Sequence, residues 1–360
     1  MTKSLADWLP APRLEALLQR ARACKIGVVG DLALDGYWTA DMTRAFLSRE
    51  TPRFPRPIVR EQYAPGAGGN VAQNLSALEL DEVVVFSVLG EDWRGEILQR
   101  ELAARRIVVD RLIVSPKRST STYIKPILMG YESQQEDSRL DFENAEPLAP
   151  DLEDALIERV TSAIKGLDAL LVADQLEING VVTDRVREAL TRLAVDHPDK
   201  VFVVDSRQRI GCYTHMVLKP NWSEAAAAVY PEAGARAQLD VSRDELTSVA
   251  HALADRTQRP VCVTLGSEGA LVWSDGPTFI PAAPVQPPLD PVGAGDTFVA
   301  ALATGLACGA SPEEAAALAN LAAAVIVEKV GQTGTATPEE IVARARLAGA
   351  GDAPAGAPSQ

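Results

Sequence analysis

Short, continuous apolar runs along this chain alternate with longer stretches in which apolar residues recur every three or four positions. The runs are "KIGVVGD" (25–31), "DEVVVFSVLG" (81–90), "DALLVAD" (168–174), "KVFVVDS" (200–206), "HMVLKP" (215–220) and "RPVCVTLG" (259–266). Each has the length of a strand, is rich in Val and Leu and lacks polar alternation, the mark of parallel strands covered on both faces. Between them, "GGNVAQNLSALE", "DWRGEILQRELAARR", "APDLEDALIERVTSAIK", "VVTDRVREALTRLAVD" and "SRDELTSVAHALADR" carry helical spacing. Strand–helix alternation of this kind predicts a doubly wound α/β fold around a mostly parallel sheet.

Two segments break the alternation. Residues 36–65, "GYWTADMTRAFLSRETPRFPRPIVREQYAP", are rich in Pro and Arg and show no helical face. Residues 110–143 set β-prone and polar residues in near alternation. Both read as antiparallel or edge strands outside the main sheet, which predicts a small β lid inserted in two pieces into the N-terminal half. The domain then runs over residues 1–348, and the Gly/Ala/Pro-rich stretch 349–360 has the composition of a disordered tail. There is no internal repeat.

The stretch "DPVGAGDTF" (290–298) places two glycines and two acids just before a helical pattern. Gly293 and Gly295 allow a sharp turn that leaves backbone N–H groups uncovered. Phe298, Leu302 and Leu306 then fall at helical spacing, and Gly309 ends the run. The loop therefore sits at a helix N-terminus, where free donors and the positive end of the dipole favour an anion. Ser311, Pro312 and Glu314 open a second helix with a capping box. Asp296 admits two readings. It caps the helix, or it takes a proton from a hydroxyl while the neighbouring N–H groups hold the phosphoryl group which that hydroxyl attacks.

Composition narrows the function classes. The chain has 360 residues, 47% hydrophobic and 23% charged, with a net charge of −14, so a broad nucleic-acid surface is not expected. An anion must instead be bound at a local site. Cys24, Cys212, Cys262 and Cys308 are far apart, with no CxxC spacing, and read as reduced thiols rather than a zinc site. The first twenty residues lack the apolar core of a secretory signal, and no run reaches the length of a membrane span. A cytoplasmic protein with no membrane partner is expected.

The segment Asp290-Pro-Val-Gly-Ala-Gly-Asp296 resembles the C-terminal D-T-x-G-A-G-D signature of the ribokinase-like (PfkB) sugar kinases, with Pro291 in place of the usual Thr. The resemblance implies that Asp296 is the catalytic base and that the Gly293–Ala294–Gly295 backbone is the anion hole. "GAGGN" (66–70) is similar to the family's glycine pair, implying that Gly68, Gly69 and Asn70 face the sugar; by itself a Gly-rich strand–helix turn also serves structure alone. "KPNWSE" (219–224) resembles the N-x-x-E motif, which implies that Asn221 and Glu224 organise Mg2+ and the phosphates of ATP, often through water. Read unaided, the pair is equally a helix cap. "VTLGSEG" (263–269) and "GQTGTATP" (331–338) resemble nucleotide-side segments, implying nucleotide contacts at Thr264, Gly266, Gly269 and Gly334, and the family resemblance implies one at Asn320 as well.

"GDLALDGYW" (30–38), "STSTYIKPI" (119–127) and "SRLDFEN" (138–144) look like the kinase half of the bifunctional heptose-phosphate kinase/adenylyltransferases. That likeness implies sugar contacts at Asp35, with Asp31 nearby, and at Arg139 and Asp174. It also implies a heptose 7-phosphate-like acceptor. Arg118, Lys125 and Arg139 would supply a basic pocket, or they are solvated lid charges. The chain departs from the group in lacking an H-x-G-H adenylyltransferase motif and in reading "ADQLEIN" (173–179) where the group has "SDYxKG". A kinase of an unphosphorylated sugar or nucleoside is the alternative, and a non-catalytic sugar- or nucleotide-binding relative a further one. A dinucleotide oxidoreductase would need G-x-G-x-x-G after the first strand, which "GVVGDLALDG" does not supply. Exposed lid strands have edges to cover, so a homodimer through the lid is expected.

Overall fold

The computed structural model describes residues 3–231, 241–331 and 334–350. Its main sheet has eight strands in the order β15-β14-β13-β12-β11-β10-β1-β4. Six of these are parallel: β4 (Glu82–Phe86), β1 (Lys25–Gly30), β10 (Ala169–Asp174), β11 (Val201–Ser206), β12 (Val217–Leu218) and β13 (Val261–Thr264). Two antiparallel strands, β14 (Ala270–Trp273) and β15 (Pro277–Ile280), finish one edge.

The continuous apolar runs have a direct cause. In β4, Val83 and Val85 enter one core while Val84 and Phe86 enter the other, so a strand covered on both faces has no polar alternate. One core packs α2 (Ala11–Ala21), α3 (Gly68–Ala77), α4 (Trp93–Ala104), α9 (Ala294–Ala307), α10 (Pro312–Val327) and α11 (Pro338–Ala350), with the short α1 (Leu5–Trp8) at its margin. The opposite core packs α5 (Pro150–Ala163), α6 (Asp184–Asp196), α7 (Trp222–Val229) and α8 (Arg243–Thr257).

A second, five-stranded sheet is built from β3 (Ile58–Ala67), β2 (Leu32–Asp41), β7 (Thr122–Met129), β8 (Gln134–Glu136) and β9 (Leu140–Phe142). It draws on both segments that interrupt the alternating pattern, although β2 begins at Leu32, directly after β1. Residues 45–57 carry no helix or strand. The expected antiparallel pairing holds for β2/β3, β7/β8 and β7/β9, but β2 and β7 run parallel from Leu34↔Thr122 to Asp41↔Met129. The run 81–90 divides at Ser87, whose hydroxyl donates to the Gly30 carbonyl (2.6 Å). Beyond it, β5 (Val88–Gly90) leaves the main sheet to pair with β6 (Ile113–Ser115). Gly349 and Ala350, assigned above to a tail, belong to α11, and residues 351–360 lie outside the described residues. Among the described residues no helix is long and apolar enough to cross a membrane.

Candidate active site

The carboxyl ends of β1, β10 and β11 meet the second sheet and the start of α9 around a cavity of about 410 Å³. Open α/β sheets keep ligands at this edge, because loops and helix N-termini converge there. Asp35 and Tyr37 from β2, Ser121, Tyr123 and Lys125 around β7, and Arg139, Glu143 and Asn144 near β9 line one wall. Gln175–Ile178 and Arg207 form the floor, and Ala67, Asn70, Val292, Gly293 and Asp296 close the far side.

Gly293 is the N-cap of α9 and adopts φ +82°, a left-handed conformation that costs a glycine little. The turn delivers Asp296 into the first helical turn, where the Asn70 side-chain amide donates to its Oδ2 (2.5 Å). One turn of α3 further on, Asn74 accepts from the Thr297 hydroxyl (2.8 Å), so α3 and α9 are pinned together at their ends. Asp296 is enclosed by protein yet opens to the cavity. Burial, with a smaller push from Asp205, raises its carboxyl to about 6, against the opposing pull of the Asn70 amide, Lys219 and Arg207. A carboxylate held near pH 6 and facing a cavity is suited to accepting a proton at neutral pH.

Beneath the turn lies a buried ion pair, Lys219 Nζ to Asp205 Oδ1 at 3.0 Å. Burial opposes the charge of Lys219, but Asp205, Glu224 and Asp296 outweigh it and raise its pKa. The Gln175 side chain joins the pair to the cavity floor: its amide donates to Asp205 (3.0 Å) and its oxygen accepts from Arg207 Nε (3.1 Å).

The structure brings Asp35, Asn70, Arg139, Gly293 and Asp296 to one cavity. Other residues singled out in the sequence lie elsewhere. Asp31, expected near the sugar, is buried below the floor, and both its oxygens are taken by backbone N–H groups of Gln175, Leu176 and Val181 (2.9, 2.8 and 2.7 Å). It shapes the 175–181 loop instead of facing the cavity. Burial raises its carboxyl to about 6 despite those three donors. Asp174 is likewise buried, with Arg209 as its ion-pair partner and the Ser206 and Tyr213 hydroxyls donating to it (2.7 and 2.9 Å). Arg118 is buried on the carbonyls of Glu146 and Asn179, outside the lining. Gly68 and Gly69 start α3 just behind the wall; the Gly68 N–H donates to the Asp31 carbonyl (2.8 Å), and a Cβ there would crowd that carbonyl.

Asn221 and Glu224 form a reciprocal capping box on α7 (2.7 and 2.9 Å). Burial raises the Glu224 carboxyl, only partly offset by Lys219. Thr264 bridges to Asn221, and its N–H donates to the Pro220 carbonyl (2.9 Å). Gly266 has φ +59° and open space where a Cβ would stand. Gly269 is tighter, since at φ +98° a Cβ would fall 2.1 Å from the Ile280 carbonyl oxygen. Asn320 donates to the Ile280 and Pro281 carbonyls (3.3 and 2.9 Å), tying α10 to the same corner. Gly334 packs against Lys329. None of these lines the 410 Å³ cavity.

The sequence reading missed Arg207, Tyr37, Tyr123, Glu143, Asn144 and Gln175 as cavity residues. Arg207 and Gln175 follow the carboxyl ends of β11 and β10, so the rule that drew attention to Asp31 applies to them too.

Residues 56–340 match the pfkB family of carbohydrate kinases. The chain belongs to that family. It is a sugar kinase, a phosphotransferase with an alcohol acceptor and ATP as donor. It is 35% identical over 336 residues to the bifunctional protein HldE of Trichlorobacter lovleyi, covering 93% of this chain and 65% of that relative. The kinase thus spans about two thirds of the length of that protein. Its fold is also that of phosphofructokinase-2 from Escherichia coli in complex with potassium (TM-score 0.68, 20% identity, 91% of this chain and 99% of the other). Arabidopsis thaliana ribokinase complexed with ribose and ATP is similar too (0.64, 19%, 89% and 98%).

Proposed function

We propose that this kinase transfers the γ-phosphate of ATP to a hydroxyl of a phosphorylated sugar of the heptose 7-phosphate kind. The observation that carries the proposal is the three cations of the cavity lining, Lys125 and Arg139 on the wall and Arg207 on the floor, around the space that Asp296 and Asp35 enter. A sugar bearing its own phosphate needs such a counter-charge in an otherwise acidic protein. Likeness to the bifunctional HldE proteins supports the same acceptor.

In this reading Asp35 and Asn70 orient the sugar, and Asp296 accepts the proton of the attacking hydroxyl. The N–H groups at residues 293–296 and the α9 dipole hold the equatorial oxygens of the transferring group. Thr264, Gly266, Gly269, Asn320 and Gly334 form the nucleotide side, where the open space at Gly266 admits a ligand. Magnesium fits the donor set: Asn221 and Glu224, paired at the start of α7, carry side-chain oxygens, the hard donors this ion takes. Two protein oxygens with water and phosphate suit this ion, which keeps much of its hydration and neutralises phosphate charge when bound. The second sheet acts as a lid that excludes water from the sugar. A cytoplasmic setting suits an ATP-dependent enzyme.

A kinase of an unphosphorylated sugar is the second reading. Arg139 is already paired with Asp141 (2.6 Å to each oxygen), and Glu143 and Glu177 also line the cavity. ADP release measured on a heptose 7-phosphate, the unphosphorylated heptose, fructose, fructose 6-phosphate, ribose and nucleosides separates the two. The proposal expects a marked preference for the phosphorylated heptose, and Arg207→Gln should raise KM for it roughly 10- to 100-fold, the worth of a charged hydrogen bond. Equal or better turnover of a neutral sugar, with Arg207→Gln silent, would contradict it.

A further inference from the structure

At the end of the main sheet remote from the cavity, two buried thiols meet. Cys24 immediately precedes β1, Cys308 is the C-cap of α9, and their sulfurs lie 3.4 Å apart. This is a non-bonded contact, about 1.4 Å longer than an S–S bond. The backbones on both sides are fixed. The Lys25 N–H donates to the Asp168 carboxylate (2.8 Å), and the Asp168 N–H returns a bond to the Lys25 carbonyl (2.8 Å). On the other side, the turn after Cys308 is gripped by α2: Arg13 donates to the Gly309 carbonyl (2.9 Å) and pairs with Glu314 (2.8 Å).

We propose that Cys24 and Cys308 are a reversible oxidation site, closing to a disulfide that clamps the C-terminal end of α9 to the start of β1. The balanced step with a peroxide begins at the Cys24 sulfur, which attacks one peroxide oxygen to give a sulfenic acid and release water. The Cys308 sulfur then attacks Cys24, forming the S–S bond and expelling a second water. Two thiols are oxidised by two electrons and one peroxide is reduced. A dithiol reductant reverses it.

The surroundings assign the roles. Cys24 is 8% exposed and Cys308 1%, so a small oxidant reaches Cys24 first. Either thiol can donate in the 3.4 Å contact, so the proton is shared between the two sulfurs and access sets the order. The difference in exposure distinguishes attacking from resolving thiol. Cys262, buried and pushed up to about 12, is inert, and exposed Cys212 serves as an internal control for non-specific oxidation. The proposal is independent of the sugar that the kinase accepts. It concerns α9 because the helix held at Cys308 is the one whose first turn presents Gly293 and Asp296 to the cavity.

The test treats the native full-length protein with peroxide, alkylates remaining thiols under denaturing conditions and maps peptides without reduction. The expected result is a Cys24–Cys308 linked peptide, a fall from four free thiols to two, and restoration by dithiothreitol. The oxidised protein should melt at a higher temperature, because the cross-link joins distant parts of the chain and restricts the unfolded state. Alkyl label on both Cys24 and Cys308, or Cys24 carried to sulfinic acid beside an alkylated Cys308, would overturn the site. An unchanged melting temperature in the linked form would overturn the clamp. Cys24→Ser should leave Cys308 alkylated, and the wild-type map decides the matter even if that variant folds poorly.

Discussion

Asp296 carries two demands that conflict. To accept a proton it must be ionised, yet burial and Asp205 lift its carboxyl to about 6. The wild-type kcat/KM should therefore fall on the acid side with a midpoint near pH 6, and a kcat/KM–pH profile checks it. The same shift has a stability cost with a definite sign. Between its ordinary value of 3.8 and about 6 the folded state binds more protons than the unfolded state, so stability declines as pH rises through that window. Asp296→Asn never acquires the charge, so it should melt higher than wild type at pH 7 while losing activity, as thermal melts at pH 5 and 7 would report. Asp31 poses the opposite problem. Asp31→Ala would strip the acceptor from three loop N–H groups. We expect a loss of at least about 3 kcal/mol in denaturant unfolding, at the low end of the cost of three buried unpaired donors.

Helix α9 and the turn before it were legible from residues 290–309 alone, because Gly293, the apolar spacing of Phe298, Leu302 and Leu306, and the stop at Gly309 all speak the local language of helix ends. Gly293→Ala should cost about 1 kcal/mol from its φ of +82° and lower kcat by displacing the N–H groups, measured by melting and by rate together. The parallel β2/β7 pairing was not legible. Strand direction depends on partners nearly a hundred residues apart, and alternating polarity looks the same in either orientation. Nor could sequence tell that Asp31 faces down and Asp35 outward. Asp31 follows the end of β1 and Asp35 lies four residues on, inside β2, and only the fold shows three N–H groups converging on one and open space at the other.

At the scale of the molecule, alternation of runs and helices disclosed the doubly wound sheet, while the grouping of Lys125, Arg139 and Arg207 around one cavity emerged only when β7, β9 and the end of β11 came together. The second sheet leaves Ile58, Val59, Met129 and Leu140 exposed, and its edge strand β3 pairs only with β2 among the described residues. Such a surface favours a second copy of the chain. Sedimentation should find a dimer, and Val59→Glu with Met129→Glu should shift it to monomer. The most direct measurement of the whole account is ADP release from ATP and a heptose 7-phosphate by wild type and Asp296→Asn, with ATP binding measured alongside. The variant should bind ATP as the wild type does but turn over roughly 100- to 10,000-fold more slowly. Equal turnover by the two proteins would contradict it.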